Sequence, residues 1–117
     1  MTGKDNSDSV KSTYCAIKRG ASPLSSFYVQ LRGDVDGREV TEEIGFSYGY
    51  NTKVRHVSGK IEISNVAGLI TIEGDNLRSI FLALLSHKLE WVRVWRDGDK
   101  FSNDEARPHT ITIDESE

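Results

Sequence analysis

The stretch GDNLRSIFLALLSHKLEWVRVWR, residues 74–96, decides the fold. Gly74-Asp75 interrupts an apolar alternation, Asp75 is a residue type that caps helices, and Leu77, Ile80, Phe81, Leu84 and Leu85 then recur at i, i+3, i+4, i+7 and i+8. That spacing predicts one amphipathic helix over about residues 75–87, closed by His87-Lys88, whose cations suit the negative pole of a helix. With almost no loop the period then falls to two. Leu89 to Arg96 reads as a strand with Val92 and Val94 on one face and Leu89, Trp91, Arg93 and Trp95 on the other.

A helix this short is marginal by itself in water, so it must lie on a sheet. If it covers the valine face, it cannot also cover the two indoles. Three arrangements resolve this: early strands curl over the indoles as in a barrel or sandwich, a partner or second copy covers them, or they line a ligand cleft. The parity can also be inverted, with Leu89, Trp91 and Trp95 toward the helix.

Toward the N-terminus the pattern is one of strands. Ser12–Arg19 is enriched in Thr, Tyr and Ile, Gly20 to Pro23 breaks it, and Ser26–Arg32 alternates Phe27, Val29 and Leu31 against Tyr28, Gln30 and Arg32. Asp36-Gly37 matches a type I′ hairpin turn. Val40, Glu42, Ile44, Phe46, Tyr48 and Tyr50 then share one parity, which predicts a long strand with an apolar face. Thr52–Ser58, Lys60–Ser64 and Val66–Glu73 supply three more strands, and His109–Asp114 a last one. The expected fold is therefore α+β: a strongly twisted, mainly antiparallel sheet of six to eight strands, open or rolled into a partial barrel, with one late inserted helix.

A chain of 117 residues fits a single domain, expected over residues 12–114, with a flexible polar leader at 1–11 and a flexible tail at 115–117. The net charge of −3 disfavours a general polyanion binder but leaves room for a local basic strip. Cys15, the single cysteine, excludes an internal disulfide and sits in an apolar context that predicts burial. The longest apolar stretch, Ile80 to Leu85, is too short to span a bilayer, and the first residues contain no apolar segment. A cytoplasmic location is expected, although a secreted form whose signal had been removed would read the same.

No pattern identifies a catalytic activity. His56, His87 and His109 stand apart, without the pairing that metal ligation favours, and no metal or cofactor is expected. Two features carry the functional reading. Leu89, Trp91, Arg93 and Trp95 resemble an interface hot spot, which points to a non-enzymatic protein-interaction or self-associating module, such as a homodimer. The segment Tyr48–Lys60 contains Tyr48, Tyr50, Lys53, Arg55, His56 and Lys60 and no acid, so the alternative is a domain that binds single-stranded nucleic acid by stacking and backbone contacts. A third reading, a small hydrolase or isomerase, needs a histidine and a carboxylate to converge in a pocket.

Overall fold

The β-branched alternation on either side of the helical stretch folds into two sheets that share one core. A computed structural model describes residues 9–11, 14–49, 52–66, 68–94 and 105–115. In chain order these form β1 (Ser9–Lys11), β2 (Cys15–Lys18), β3 (Ser26–Val35), β4 (Arg38–Ser47), β5 (Lys53–Val57), β6 (Lys60–Asn65), β7 (Gly68–Asp75), α1 (Arg78–Leu85), β8 (Leu89–Arg93) and β9 (Arg107–Glu115). The first sheet runs β1-β2-β8-β3-β4 and the second β5-β6-β7-β9. Every pairing is antiparallel except that of β3 with β8.

The α+β class, the mostly antiparallel pairing and the single late helix agree with expectation, and the sheets remain open instead of closing into a barrel. All eight expected strands form. A ninth is added inside the span read as leader, because Ser9–Lys11 pair with Ala16–Lys18 along the edge of the first sheet. Tyr50, Trp95 and the rest of the expected leader lie outside the described residues.

The inner faces meet in one apolar cluster. Phe27, Val29, Phe46 and Val92 come from the first sheet, Ile61, Ile63, Ile70 and Ile72 from the second, and Ile80, Ala83 and Leu84 from α1. Cys15 is buried among them, as its context predicts. Each large side chain so buried contributes about 1.5–3 kcal/mol of transfer free energy before the cost of ordering the chain.

The helix differs from its sequence reading at both ends. It begins at Arg78 behind Leu77, with no side-chain cap, because Asp75 is the last residue of β7 and its carboxylate is engaged elsewhere. Its buried face holds Ala83 in place of Leu85, which is 54% exposed. A turn of about 100° per residue places Ala83 on the side of Ile80 and Leu84 and carries Leu85 away from them. His87 ends the helix through its backbone: with φ of 58° its N–H donates to Leu84 O at 3.2 Å, and Lys88 N–H donates to Ala83 O at 2.7 Å. This pair of bonds is a Schellman motif with histidine where glycine is usual.

One glycine is required by close approach. Between Glu73 and Gly74 the pairing of β7 with β9 shifts, so that His109 is the extra residue of a bulge and Pro108 faces Gly74. A β-carbon on Gly74 would stand 2.2 Å from the carbonyl oxygen of Arg107, which is backbone and cannot step aside cheaply. Gly33, in contrast, has open space around it. Gly74→Ala should lower Tm by at least about 5 °C, while Gly33→Ala leaves it within about 2 °C, as thermal unfolding followed by circular dichroism would record.

Candidate functional site

The strand that carries the indole face is not regular. β8 pairs with β2 through Cys15↔Val92, Ala16↔Trp91 and Ile17↔Leu89, so Glu90 is passed over. The bulge reverses the parity of Leu89. It turns into the core beside Val92, and both are 0% exposed, so Leu89 is not part of a surface. Trp91 and Arg93 do lie on the opposite face, partly buried and outside the core cluster, while Val94 packs against the core as the valine face predicts. Trp91 is opposed to Ala16 on one side and Tyr28 on the other. The Arg93 guanidinium stands 5.9 Å from the centre of the Tyr14 ring, a cation–π distance. Burial, with Glu43 and Glu90 nearby, holds the Tyr28 phenol above its usual value.

The basic strip is broken up by the fold. Tyr48 packs beside Phe27 with ring centres 5.0 Å apart, stacks on His87 at 4.4 Å and donates its hydroxyl hydrogen to Leu89 O at 2.8 Å. Burial holds its phenol far above the ordinary value, as suits a structural donor. Lys53 and Arg55 point outward, but Arg55 lies 3.3 Å and Lys60 3.8 Å from carboxylate oxygens of Glu62. His56 turns toward the helix, its ring centre 5.2 Å from that of Phe81. Across the outer face of the second sheet Lys53, Arg55 and Lys60 are balanced by Glu62, Glu73 and Asp114. The absence of acid along the segment is thus undone by neighbouring strands.

Part of the histidine–carboxylate convergence is realised. His56, Ser58, Asp75, Asn76 and Arg78 border a shallow cleft of about 360 Å³ beside the start of α1. Asp75 is occupied: Arg107 Nη2 donates to its Oδ2 at 2.7 Å, and His109 Nε2 lies 3.1 Å from the same oxygen. The hydrogen bond from Arg107, aided by the charge of His109, holds the carboxyl below its ordinary value. A carboxylate held in this way is a weak base, and here it ties β7 to the bulged start of β9. His87 is stacked on Tyr48, away from the cleft. Among the described residues no three or more His, Cys, Asp or Glu form a metal-holding group, and no helix is long and apolar enough to cross a membrane.

The most unusual surface is one the sequence reading did not single out. β3 and β4 pair without interruption from Ser26↔Ser47 to Val35↔Arg38, whereas among the described residues β8 accompanies β3 only at Tyr28–Gln30. Past that point the two strands continue as an arm, turned by Asp36 and Gly37 at φ of 52° and 77°, as a type I′ turn requires. Every residue from Gly33 to Glu43 is exposed. The core-side row runs out along the arm as Leu31, Val40 and Val35, and Val35 and Val40 are 52% and 41% exposed. Among the described residues β4 has no strand on its outer side. The arm is stiffened by Arg32, whose Nε donates to Glu39 at 2.8 Å and whose Nη1 donates to Val94 O at 3.2 Å. At its foot Gln30 donates to Glu43 at 3.0 Å.

Two measurements check these placements. Leu89→Ala should cost about 2–5 kcal/mol in chemical denaturation, the loss expected for a core leucine, and an unchanged midpoint would restore Leu89 to the surface. For Asp75 the folded-state pKa is below the unfolded one, so its stabilisation is present above the ordinary value of 3.8 and is lost as pH falls through the folded value. Wild type should melt above Asp75→Asn at about pH 5, and the gap should close on acidification below 3.8. Comparisons with protein-family models, with curated proteins and with solved structures find no match to this chain.

Proposed function

We propose that this chain is a non-catalytic protein-interaction module that meets its partner with the β3–β4 arm and the outer edge of β4. The observation that carries this reading is the arm itself. Ordinary folds shorten, cover or bend their sheet edges, because a row of unpaired N–H and C=O groups is a template for another strand. Here, among the described residues, a ten-residue edge strand is left long, and the ribbon it forms with β3 carries exposed Val35 and Val40 beyond the core that would justify them. Such a surface offers a partner both strand pairing and apolar contact.

The indole face fits the same reading at the foot of the arm. Tyr28, Gln30 and Arg32 follow one another along the outer face of β3, and Trp91 and Arg93 oppose the first two. A partner lying on the outer side of the arm would reach the partly exposed indole of Trp91 next, an anchor of the type that dominates interface energies. The nucleic-acid alternative has less to rest on, since Tyr48 is engaged in the core and the outer face of the second sheet is balanced in charge.

A photo-crosslinking residue tests the reading by position. Benzoylphenylalanine in place of Thr41, on the arm, should give a discrete adduct in cells of the source, and the same residue in place of Ser64, on the outer face of β6, should give none. An adduct at twice the mass of the chain would identify a second copy as the partner. Crosslinking from Ser64 without crosslinking from Thr41 would overturn the reading.

A further inference from the structure

The chemistry of the arm narrows its partner. Between Arg32 and Glu43 the chain carries Asp34, Asp36, Glu39, Glu42 and Glu43 against Arg32 and Arg38 only, although the whole protein has a net charge of just −3. The carboxylates are distributed on both faces of the ribbon. Glu39 and Glu43 share the outer face with Thr41, while Glu42 stands in the core-side row between Val40 and Ile44, opposite Leu31.

That position of Glu42 also decides against one occupant. Two copies of β4 could pair edge to edge about a twofold axis, the commonest way to continue a sheet. A twofold axis normal to the sheet opposes residues of the same row, and the two registers that overlap Arg38–Ser47 most fully set either Glu42 or Glu43 against its own copy. Like charges directly opposed across a strand pair are destabilising. A charge in the apolar row of an edge strand is the device by which proteins prevent self-pairing. The same carboxylates attract a strand of opposite charge.

Resting on the interaction reading above, we infer that β4 receives an extended basic segment of a different protein, added as a further strand to the first sheet. The main chain of the segment pairs with the outer N–H and C=O groups of β4. Its lysines or arginines meet Glu39 and Glu43 on the outer face and Glu42 on the inner one, and its apolar residues cover Val40 and Ile44. Main-chain pairing supplies affinity, and the alternating side chains supply selectivity. The charges also speed encounter, so association weakens as salt rises.

The probe is the capped peptide acetyl-Lys-Val-Lys-Lys-Lys-Val-Lys-amide, titrated into the full chain and followed by amide shifts in nuclear magnetic resonance. The shifts should concentrate on β4. Affinity should fall at least tenfold for the Glu42→Lys, Glu43→Lys double variant, whose fold is checked by an unchanged circular dichroism spectrum. It should also fall at least tenfold for the same peptide N-methylated at every backbone amide, which keeps the charge and removes the strand donors. Equal binding of the methylated peptide, or shifts away from β4, overturns strand addition. If the peptide fails to bind while crosslinking from Thr41 persists, the basic-strand inference falls and the arm remains an interaction surface. If both fail, the interaction reading falls with it.

Discussion

The first sheet depends on β8. β2 and β3 do not pair with each other; each pairs with β8, antiparallel on one side and parallel on the other. A strand from late in the chain therefore joins two early ones, and the sheet cannot be complete until α1 has been made and the chain has returned. The joint is secured at both ends, by Lys18 N–H donating to Lys88 O at 2.7 Å and Arg93 N–H donating to Tyr14 O at 2.9 Å. The abrupt end of α1 serves this placement. His87 in the left-handed region reverses the chain within two residues, so that Leu89 enters the core directly behind the helix.

The treatment of the remaining edges is uneven, and the unevenness carries the functional argument. At one side of the second sheet, α1 packs against β5, with Phe81 beside His56. At the other, β9 approaches β8 of the first sheet. On β9 Pro108 removes one donor at the bulge, which is one of the ways a terminal strand is made a poor template. Among the described residues β4 has none of these protections. It is among the longest strands of the fold, and beyond Ile44 its inner row looks out on solvent instead of on the second sheet. Its protection is charge alone, which repels some strands and attracts others.

Local features of the fold were legible in the sequence because their causes are local. Asp36-Gly37 specifies its turn through the backbone freedom of those two residues. The spacing of Leu77, Ile80 and Leu84 specifies the buried face of α1, and the alternating isoleucines of β6 and β7 specify an inner sheet face. What escaped reading depends on residues far apart. Asp75 has the chemistry of a helix cap, yet Arg107 and His109 claim it from across the β7/β9 pairing. Leu89 has the parity of Trp91, yet a bulge set by pairing with β2 sends it inward. Glu62 neutralises a strip that contains no acid of its own. The arm left two signals in the sequence: a cluster of carboxylates between Asp34 and Glu43, and a charged residue within the apolar row of a strand too long for its neighbours. Their meaning depends on which strands stand beside β3 and β4, which no local pattern specifies.

A net charge of −3 is thus a poor guide to what this surface meets. On the outer face of the second sheet Lys53, Arg55 and Lys60 stand among Glu62, Glu73 and Asp114, so opposite charges offset one another within the face. On the arm the excess of carboxylates stands on a ribbon bordered by solvent, and the neighbouring Glu90 adds to it near Tyr28. The excess charge stands where, among the described residues, the first sheet also ends in an open edge. Charge alone would favour any cation, and an open edge alone would favour any strand. Their coincidence on β4, with Val40 and Ile44 between the carboxylates, selects a partner that is at once extended, basic and apolar at alternate positions.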